Sequence, residues 1–300
     1  GTDGLSTYDK VYLYDSGTTI ITDKTTEANN ITTADVINTS GIMLSASGVS
    51  QSYCSSLAYD GATYLYSGMN VSPAVIAKTD PTTMTTVSTY TTASTNGNCY
   101  SLTYISSYLY AGLGNSPASV VKIDPSTMIA SSILTLTTSS NICYALTNDG
   151  TNLFAGMGSS AARIVKIDPS AMTETKTLTL NSGENTCRAL TMIGINLYAG
   201  LELSPAKITK IDASGTNLTR TTTLTLASGK NNCYTLVNDG TNLYAGLGTS
   251  PAIIVKINPA GAMTETTSLT LASGENICYG LTYDGTYLYA GLGVSPAKMV

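Results

Sequence analysis

The run from Cys143 to Leu180 shows the pattern that governs the chain. It reads CYALTND, then NLFAGMG, then RIVKID, then TLTL, with Gly, Pro, Asn, Asp and Ser gathered between the apolar stretches. Stretches of four to eight residues rich in aliphatic, β-branched and aromatic side chains, bounded by turn formers, read as strands. The last of them alternates Thr and Leu strictly, the pattern of a strand with one face buried and one wet. Nowhere does the three-and-four spacing of an amphipathic helix interrupt it.

The four stretches, called strands a to d below, recur six times. Cysteine opens each copy, at Cys54, Cys99, Cys143, Cys187, Cys233 and Cys278, with gaps of 45, 44, 44, 46 and 45 residues. A period of this length with four strands and no helix predicts an all-β, six-bladed β-propeller of four-stranded blades. Blades share a continuous core, so residues 33–300 form one domain. Residues 1–32 stand outside the repeat as an N-terminal arm or linker, with strand character in KVYLYDSG and TTIITD. Residues 33–53 look like the tail of a copy: GIMLSASGVSQSYC matches TLTLNSGENTC, whereas the sixth copy stops at Val300 before its strand d. The N-terminal segment is therefore expected to supply the closing outer strand of the last blade, a Velcro closure that covers exposed sheet edges. Closure in cis gives a self-contained ring; closure in trans links copies into a homo-oligomer by strand exchange through the arm. The chain starts at Gly1 without Met and stops inside a copy. We read it as a processed or partial chain, and the lack of a targeting signal carries no weight.

Single positions inside the repeat refine this. Asp60-Gly61, Asp149-Gly150, Asp239-Gly240 and Asp284-Gly285 read as type I′ hairpin turns between strands a and b. Strand b carries one aromatic per copy, at Tyr66, Tyr110, Phe154, Tyr198, Tyr244 and Tyr289. These are expected to pack between blades, the hydroxyls reaching a polar partner at the core edge; the other reading is a platform for sugars. The cysteines read as small hydrophobes wedged between blades, since equivalent residues of neighbouring blades stand near or beyond the ~7 Å Cα reach of a disulfide. Free thiols fit folding in a reducing compartment with later export or release, as for virion proteins. Strand c places Lys78, Lys122, Lys166, Lys210 and Lys256 two residues before Asp or Asn. Residues two apart share a strand face, and that face is expected to be solvated.

Composition removes several functions. Only 11% of residues are charged and the net charge is −5, against roughly 25% charged in an ordinary globular chain. No basic footprint for nucleic acid exists, and no apolar run approaches the roughly 20 residues of a membrane span. The chain has no histidine, which excludes His-based acid–base chemistry, Ser-His-Asp triads and His-ligated zinc.

The d–a and b–c loops share one end of the channel, the end expected to carry any ligand. The d–a loops read SSN, SGEN, SGKN and SGEN, placing Asn141, Asn185, Asn231 and Asn276 two residues before Cys, beside Glu184, Lys230 and Glu275. One reading is turns that satisfy their own backbone. The other is a polar rim for a glycan or a cation, its carboxylate and amide oxygens suiting calcium. Departures from the repeat mark where an asymmetric site would lie: Arg188 after Cys187, Glu202 in GLELSPA, and Arg163 at the start of a strand c. Arg188 and Glu202 belong to one blade and are placed to pair. No catalytic residue and no metal-ligand set is assigned.

The strings LYAGLG, SPA, IVKID, TLTL and SGEN resemble the repeats of YVTN-type and related secreted surface β-propellers over residues 33–300. The resemblance implies a binding or structural module of a surface or virion protein. Together with the low charge, Thr-rich outer strands, near-identical blades and free cysteines, it leads to the expectation of a non-enzymatic structural or adhesion module of an extracellular surface assembly, filament or virion, of tail-fibre or decoration type, with protein partners. A lectin-like, glycan-binding propeller is the second expectation and a metal-dependent hydrolase or lyase on the channel face the third. The Glu, Asn and Asp metal set of six-bladed lactonase-like enzymes does not map onto this chain residue by residue.

Overall fold

The computed structural model describes residues 54–93, 97–136, 141–295 and 298–300, together with two short strands, Ile20–Ile21 and Val36–Asn38. Those two strands pair antiparallel with each other. The rest of the arm, and the GIMLSAS strand expected to close the last blade, lie outside the described residues. The six predicted blades are present, each an antiparallel sheet whose strands follow chain order. Five have four strands, spanning 54–91, 98–135, 143–179, 187–225 and 233–270, and the sixth has three among the described residues, within 278–299. Successive a strands pack side by side from the first blade to the sixth. Among the described residues no helix is long and apolar enough to cross a membrane.

Burial follows the sequence pattern. In the third blade strand b, Leu153–Met157, is buried on both faces, which explains its unbroken apolar run. Strand d, Thr173–Thr179, lies at the rim and is largely exposed, with Glu174 and Leu178 partly covered. The core lies between blades. One cluster joins Tyr110 and Val120 of the second blade to Cys143 and Leu146 of the third; the next joins Phe154 and Ile164 to Cys187 and Leu190 of the fourth.

At the centre of each of five interfaces among the described residues a cysteine rests on a glycine. A Cβ on Gly156 would stand 2.6 Å from Cys187 Sγ, and Gly68, Gly112, Gly200 and Gly246 face Cys99, Cys143, Cys233 and Cys278 in the same way at 2.5–2.6 Å. The strand-b glycine is thus required for close approach of the next blade, with no unusual backbone angle involved. All six cysteines are free thiols. Burial pushes the thiols of Cys99, Cys143 and Cys278 up to about 12, which keeps them neutral and unreactive. Cys54 is exposed, and Leu57 is 45% exposed where Leu102, Leu146, Leu190 and Leu236 are 7–9% exposed. In the described residues, no blade covers that face of the first blade.

In the first four blades the strand-b aromatics are interblade packing as expected, whereas Tyr244 and Tyr289 are partly buried and donate to Asp239 and Asp284 of their own blades. Tyr66, Tyr110, Phe154 and Tyr198 are at most 2% exposed, and the Tyr110 hydroxyl donates to Pro169 O of the next blade at 3.0 Å. Two expectations are corrected. In the four blades that carry Asp-Gly the a–b connection is not a two-residue type I′ turn; the second blade, which lacks Asp-Gly, does turn in two residues, with Ser106 and Ser107 both at positive φ (50° and 66°). In the third blade the connection has four residues: Asp149 Oδ1 accepts the N–H groups of Thr151 (2.8 Å) and Asn152 (2.6 Å), and only Gly150 takes a positive φ, +86°. A carboxylate that satisfies the turn N–H groups replaces the left-handed pair. The strand-c lysines do not face solvent either. Lys78 and Lys166 are 8% exposed. Lys78 donates to Pro125 O (2.8 Å), Lys122 to Pro169 O (3.0 Å), Lys166 to Gly215 O (2.9 Å) and Lys210 to Pro259 O (3.1 Å), each in the c–d turn of the following blade. Both faces of strand c are covered, so face parity does not identify a wet side.

The Cys-on-Gly contact leads to a direct test. Gly156→Ala forces a methyl against Cys187 and is expected to cost about 1–3 kcal/mol by overpacking. Cys187→Ala in the same chain removes the clashing sulfur, and the double variant should lose less than the sum of the single losses. Urea unfolding of the four proteins reads the coupling; strict additivity would show that the contact does not constrain the interface.

Candidate functional site

The inner end of each blade is built by a β-bulge. In every blade the register between strands a and b slips just after the cysteine; in the third, Cys143 faces Met157 while Ala145 faces Gly156, leaving Tyr144 as the extra residue. A bulge re-aims the side chain it carries. The residues so placed are Ser55, Tyr100, Tyr144, Arg188, Tyr234 and Tyr279. From Tyr100 to Tyr279 they form a continuous belt. Tyr100 meets Tyr144 edge-on with centroids 5.2 Å apart, the Arg188 guanidinium lies 4.0 Å from the Tyr144 ring and 5.4 Å from the Tyr234 ring, and Tyr234 stacks on Tyr279 at 5.3 Å. Each tyrosine also covers a b–c loop glycine of its own blade, namely Gly114, Gly158, Gly248 and Gly293.

This arrangement explains the fourth blade. Arg188 replaces the tyrosine and Glu202 replaces the glycine beneath it, and the two pair as the sequence suggested: Arg188 Nε donates to Glu202 Oε2 at 2.7 Å and Nη2 to Oε1 at 3.4 Å. The substitution is a matched swap of one stacked pair for another, and the guanidinium keeps the ring contacts that a tyrosine would make. The Tyr234 hydroxyl closes the group on Glu202 Oε1 at 3.5 Å.

The loop charges are paired one by one. Glu184, only 3% exposed, binds Arg220 of strand d through Oε1 to Nη2 (2.6 Å) and Oε2 to Nε (3.1 Å), and accepts from Thr223 Oγ1 and Asn181 N at 3.0 Å each. One blade on, the same two positions hold Lys230 and Glu265, also paired, with the charges exchanged. Lys230 further donates to Ser268 Oγ at 2.9 Å. Glu275 takes Lys298 (2.6 Å) and the Ala272 N–H (2.8 Å). The rim asparagines join neighbouring loops: Asn141, Asn231 and Asn276 accept from Ser116 (3.0 Å), Ser204 (2.8 Å) and Ser250 (2.7 Å). Asn185 holds the same register, partly buried.

The rim residues named from the sequence are therefore not gathered at one point. Glu184, Glu202 and Glu275 sit in three separate pairs, and among the described residues no three of His, Cys, Asp and Glu cluster. What the sequence reading missed is the tyrosine belt, although a Tyr directly after four of the six cysteines was a visible signal. One cavity of about 300 Å³ opens at the loop end of the third blade, lined by Asn141, Gly158, Ser159, Ser160, Ala161, Arg163 and Thr179.

The fold agrees with that of solved propellers. A chain from the crystal structure of a mitotic checkpoint complex matches with a TM-score of 0.67 at 15% identity, covering 82% of this chain and 74% of that one. The WD40 repeats of RRP9 match at 0.62 and 14%, covering 81% and 73%. Hydrazine synthase of Kuenenia stuttgartiensis matches at 0.65 and 14%, covering 84% and 77%. No protein-family model matches, the YVTN-type repeat included, and no curated protein matches by sequence. The chain is thus a repeat protein of the β-propeller class, built of six blades.

The Glu184 pair gives the protein an acid-sensitive element. Burial alone would raise the Glu184 pKa, but the Arg220 hydrogen bonds, the Asn181 N–H and Thr223 outweigh it, so the carboxyl sits below its ordinary value of 4.5. A carboxyl whose pKa is lower in the folded state stabilises the fold above the unfolded value and loses that contribution as pH falls through the folded one. Glu184→Gln should cost about 1–3 kcal/mol at neutral pH, with Arg220 partly open to water moderating the loss. The gap from wild type should narrow as pH drops below 4.5; denaturation midpoints across that range measure it, and a gap constant with pH would remove Glu184 as the cause.

Proposed function

We propose that the chain is a non-enzymatic structural and adhesion module that works by protein contact within an extracellular surface assembly, filament or virion. The observation that carries this reading is how the charges are used. Glu184, Glu275, Lys230, Arg188 and Glu202, the groups from which an asymmetric catalytic centre would be drawn, are each consumed in a pair that ties one part of the propeller to another. Interblade lysines are spent on turn carbonyls. The outer strands present mainly Thr and Ser, weakly charged and repetitive, as suits extended contact with a partner surface. The resemblance to YVTN-type repeats points the same way, as do two similar structures, a checkpoint complex and a set of WD40 repeats. Hydrazine synthase shares the fold as well, so the fold alone does not choose, and the pairing of the charges is what supports the non-enzymatic reading.

Light scattering and negative-stain imaging of the native material test it. Long assemblies, or particles bearing the chain on their surface, are the expected result. Isolated discs that cross-link to no other protein in the native material would overturn it.

A further inference from the structure

Two departures from the internal repeat meet at the cavity of the third blade. The first is Ala161. The b–c loop reads Ser-Pro in five blades, at Ser72-Pro73, Ser116-Pro117, Ser204-Pro205, Ser250-Pro251 and Ser295-Pro296, but Ser160-Ala161 here, so the pyrrolidine ring is missing where Ala161 lines the cavity. The second is Arg163. The other blades place Val75, Ser119, Lys207, Ile253 and Lys298 at this register. Strand c presents Arg163 opposite Thr179 of strand d, and both line the cavity.

Arg163 differs from the other two arginines of the described blades. Arg188 holds Glu202 and Arg220 holds Glu184, each through two donors, while no carboxylate among the described residues pairs with Arg163. The walls around it are neutral and rich in hydrogen-bonding groups. Ser160, Thr179 and the Asn141 amide supply hydrogen-bonding groups, Ser159 is left as an acceptor because its hydroxyl donates to Ala161 O at 2.7 Å, and Asn141 Oδ1 already accepts from Ser116 at 3.0 Å. Gly158 forms the floor beneath the Tyr144 ring, whose Cε2 stands 2.5 Å from where a Cβ would be. A planar guanidinium favours a carboxylate, which it can take through two parallel donors. Hydroxyl and amide groups around it suit a polyhydroxylated body.

We infer that this cavity is a binding site for an acidic monosaccharide unit, with Arg163 taking the carboxylate and Asn141, Ser159, Ser160 and Thr179 facing the hydroxyls. A volume of about 300 Å³ accommodates one sugar ring and not an extended chain, so a polymer is gripped at a single residue. The site is specific to one blade and independent of how the propeller is assembled with its partners. A shallow polar site of this kind binds weakly, with a dissociation constant on the order of 1 mM, and gains strength where many copies face one glycan surface.

Ligand-observed NMR at low salt tests this on the intact chain, using glucuronate, glucose and acetate as probes. Glucuronate should bind while glucose binds at least about tenfold more weakly. Arg163→Gln should abolish the difference between the two sugars. Ala161→Pro restores the ring that the other blades carry; it should weaken glucuronate binding by filling the space, with the charge unchanged. Glucuronate failing to bind, or binding Arg163→Gln as well as wild type, overturns the site. Acetate binding as tightly as glucuronate overturns the sugar assignment. Glucuronate binding that survives Ala161→Pro undiminished places the ligand elsewhere and also overturns it.

Discussion

Approach of one blade to the next is limited by a sulfur atom against a bare Cα. Cys187 on Gly156 recurs at four further interfaces with Cβ-to-sulfur distances that agree within 0.1 Å, 2.5 to 2.6 Å. An alanine at the glycine or a leucine at the cysteine would push the blades apart, and the shift would be carried to every neighbour. Much else in the repeat is arranged around this spacing. It brings Tyr110 to the Pro169 carbonyl, brings Lys122 to the same atom, and sets the belt residues close enough for Arg188 to lie between two rings. Buried free cysteine suits the place because it is small, apolar and, with a raised pKa, unreactive.

The low charge content follows from the same geometry. Each interface offers a few places where a polar group is useful, chiefly the c–d turn carbonyls and the loop N–H groups, and the charged residues go there. The exchange of Glu184 and Arg220 for Lys230 and Glu265 shows that where both positions are charged they carry opposite signs, whichever way round they stand. Arg188 and Glu202 obey the same logic at the belt, where charge replaces a stacked ring and a glycine together. Opposite charges at matched sites explain why such changes persist in a chain with otherwise near-identical blades.

Strand order, blade number, the buried cysteines and the interblade aromatics were legible because a period of about 45 residues repeats the same apolar positions along one chain. The Arg188–Glu202 pair was legible for the related reason that both break the repeat. Three features were not. The bulge after each cysteine turns the following residue toward the belt, and strict alternation misreads the face of any strand that contains one. The lysines reach a carbonyl nearly fifty residues away, as Lys166 reaches Gly215, a contact that exists only once blades are stacked. The rim carboxylates looked like a set because they share a loop position, yet each answers to a different strand, Glu184 to Arg220 and Glu275 to Lys298.

Breaks in a repeat have two possible outcomes, and this protein shows both in adjacent blades. In the fourth, the new arginine arrives with a new glutamate; the pair is satisfied internally and the surface is left much as the other blades leave it. In the third, the new arginine arrives with the loss of a proline ring, so charge and space appear together with no carboxylate to fill them among the described residues. Partial burial beside a cavity makes an unpaired guanidinium more expensive than one in open water. Other blades hold Val75 and Ile253 at the register of Arg163, and Lys207 and Lys298 as well, so a cation is tolerated there, and it is the missing proline ring that sets the third blade's arginine apart. The presence of Arg163 at that cavity is the physical reason to look there for a ligand that brings the missing negative charge.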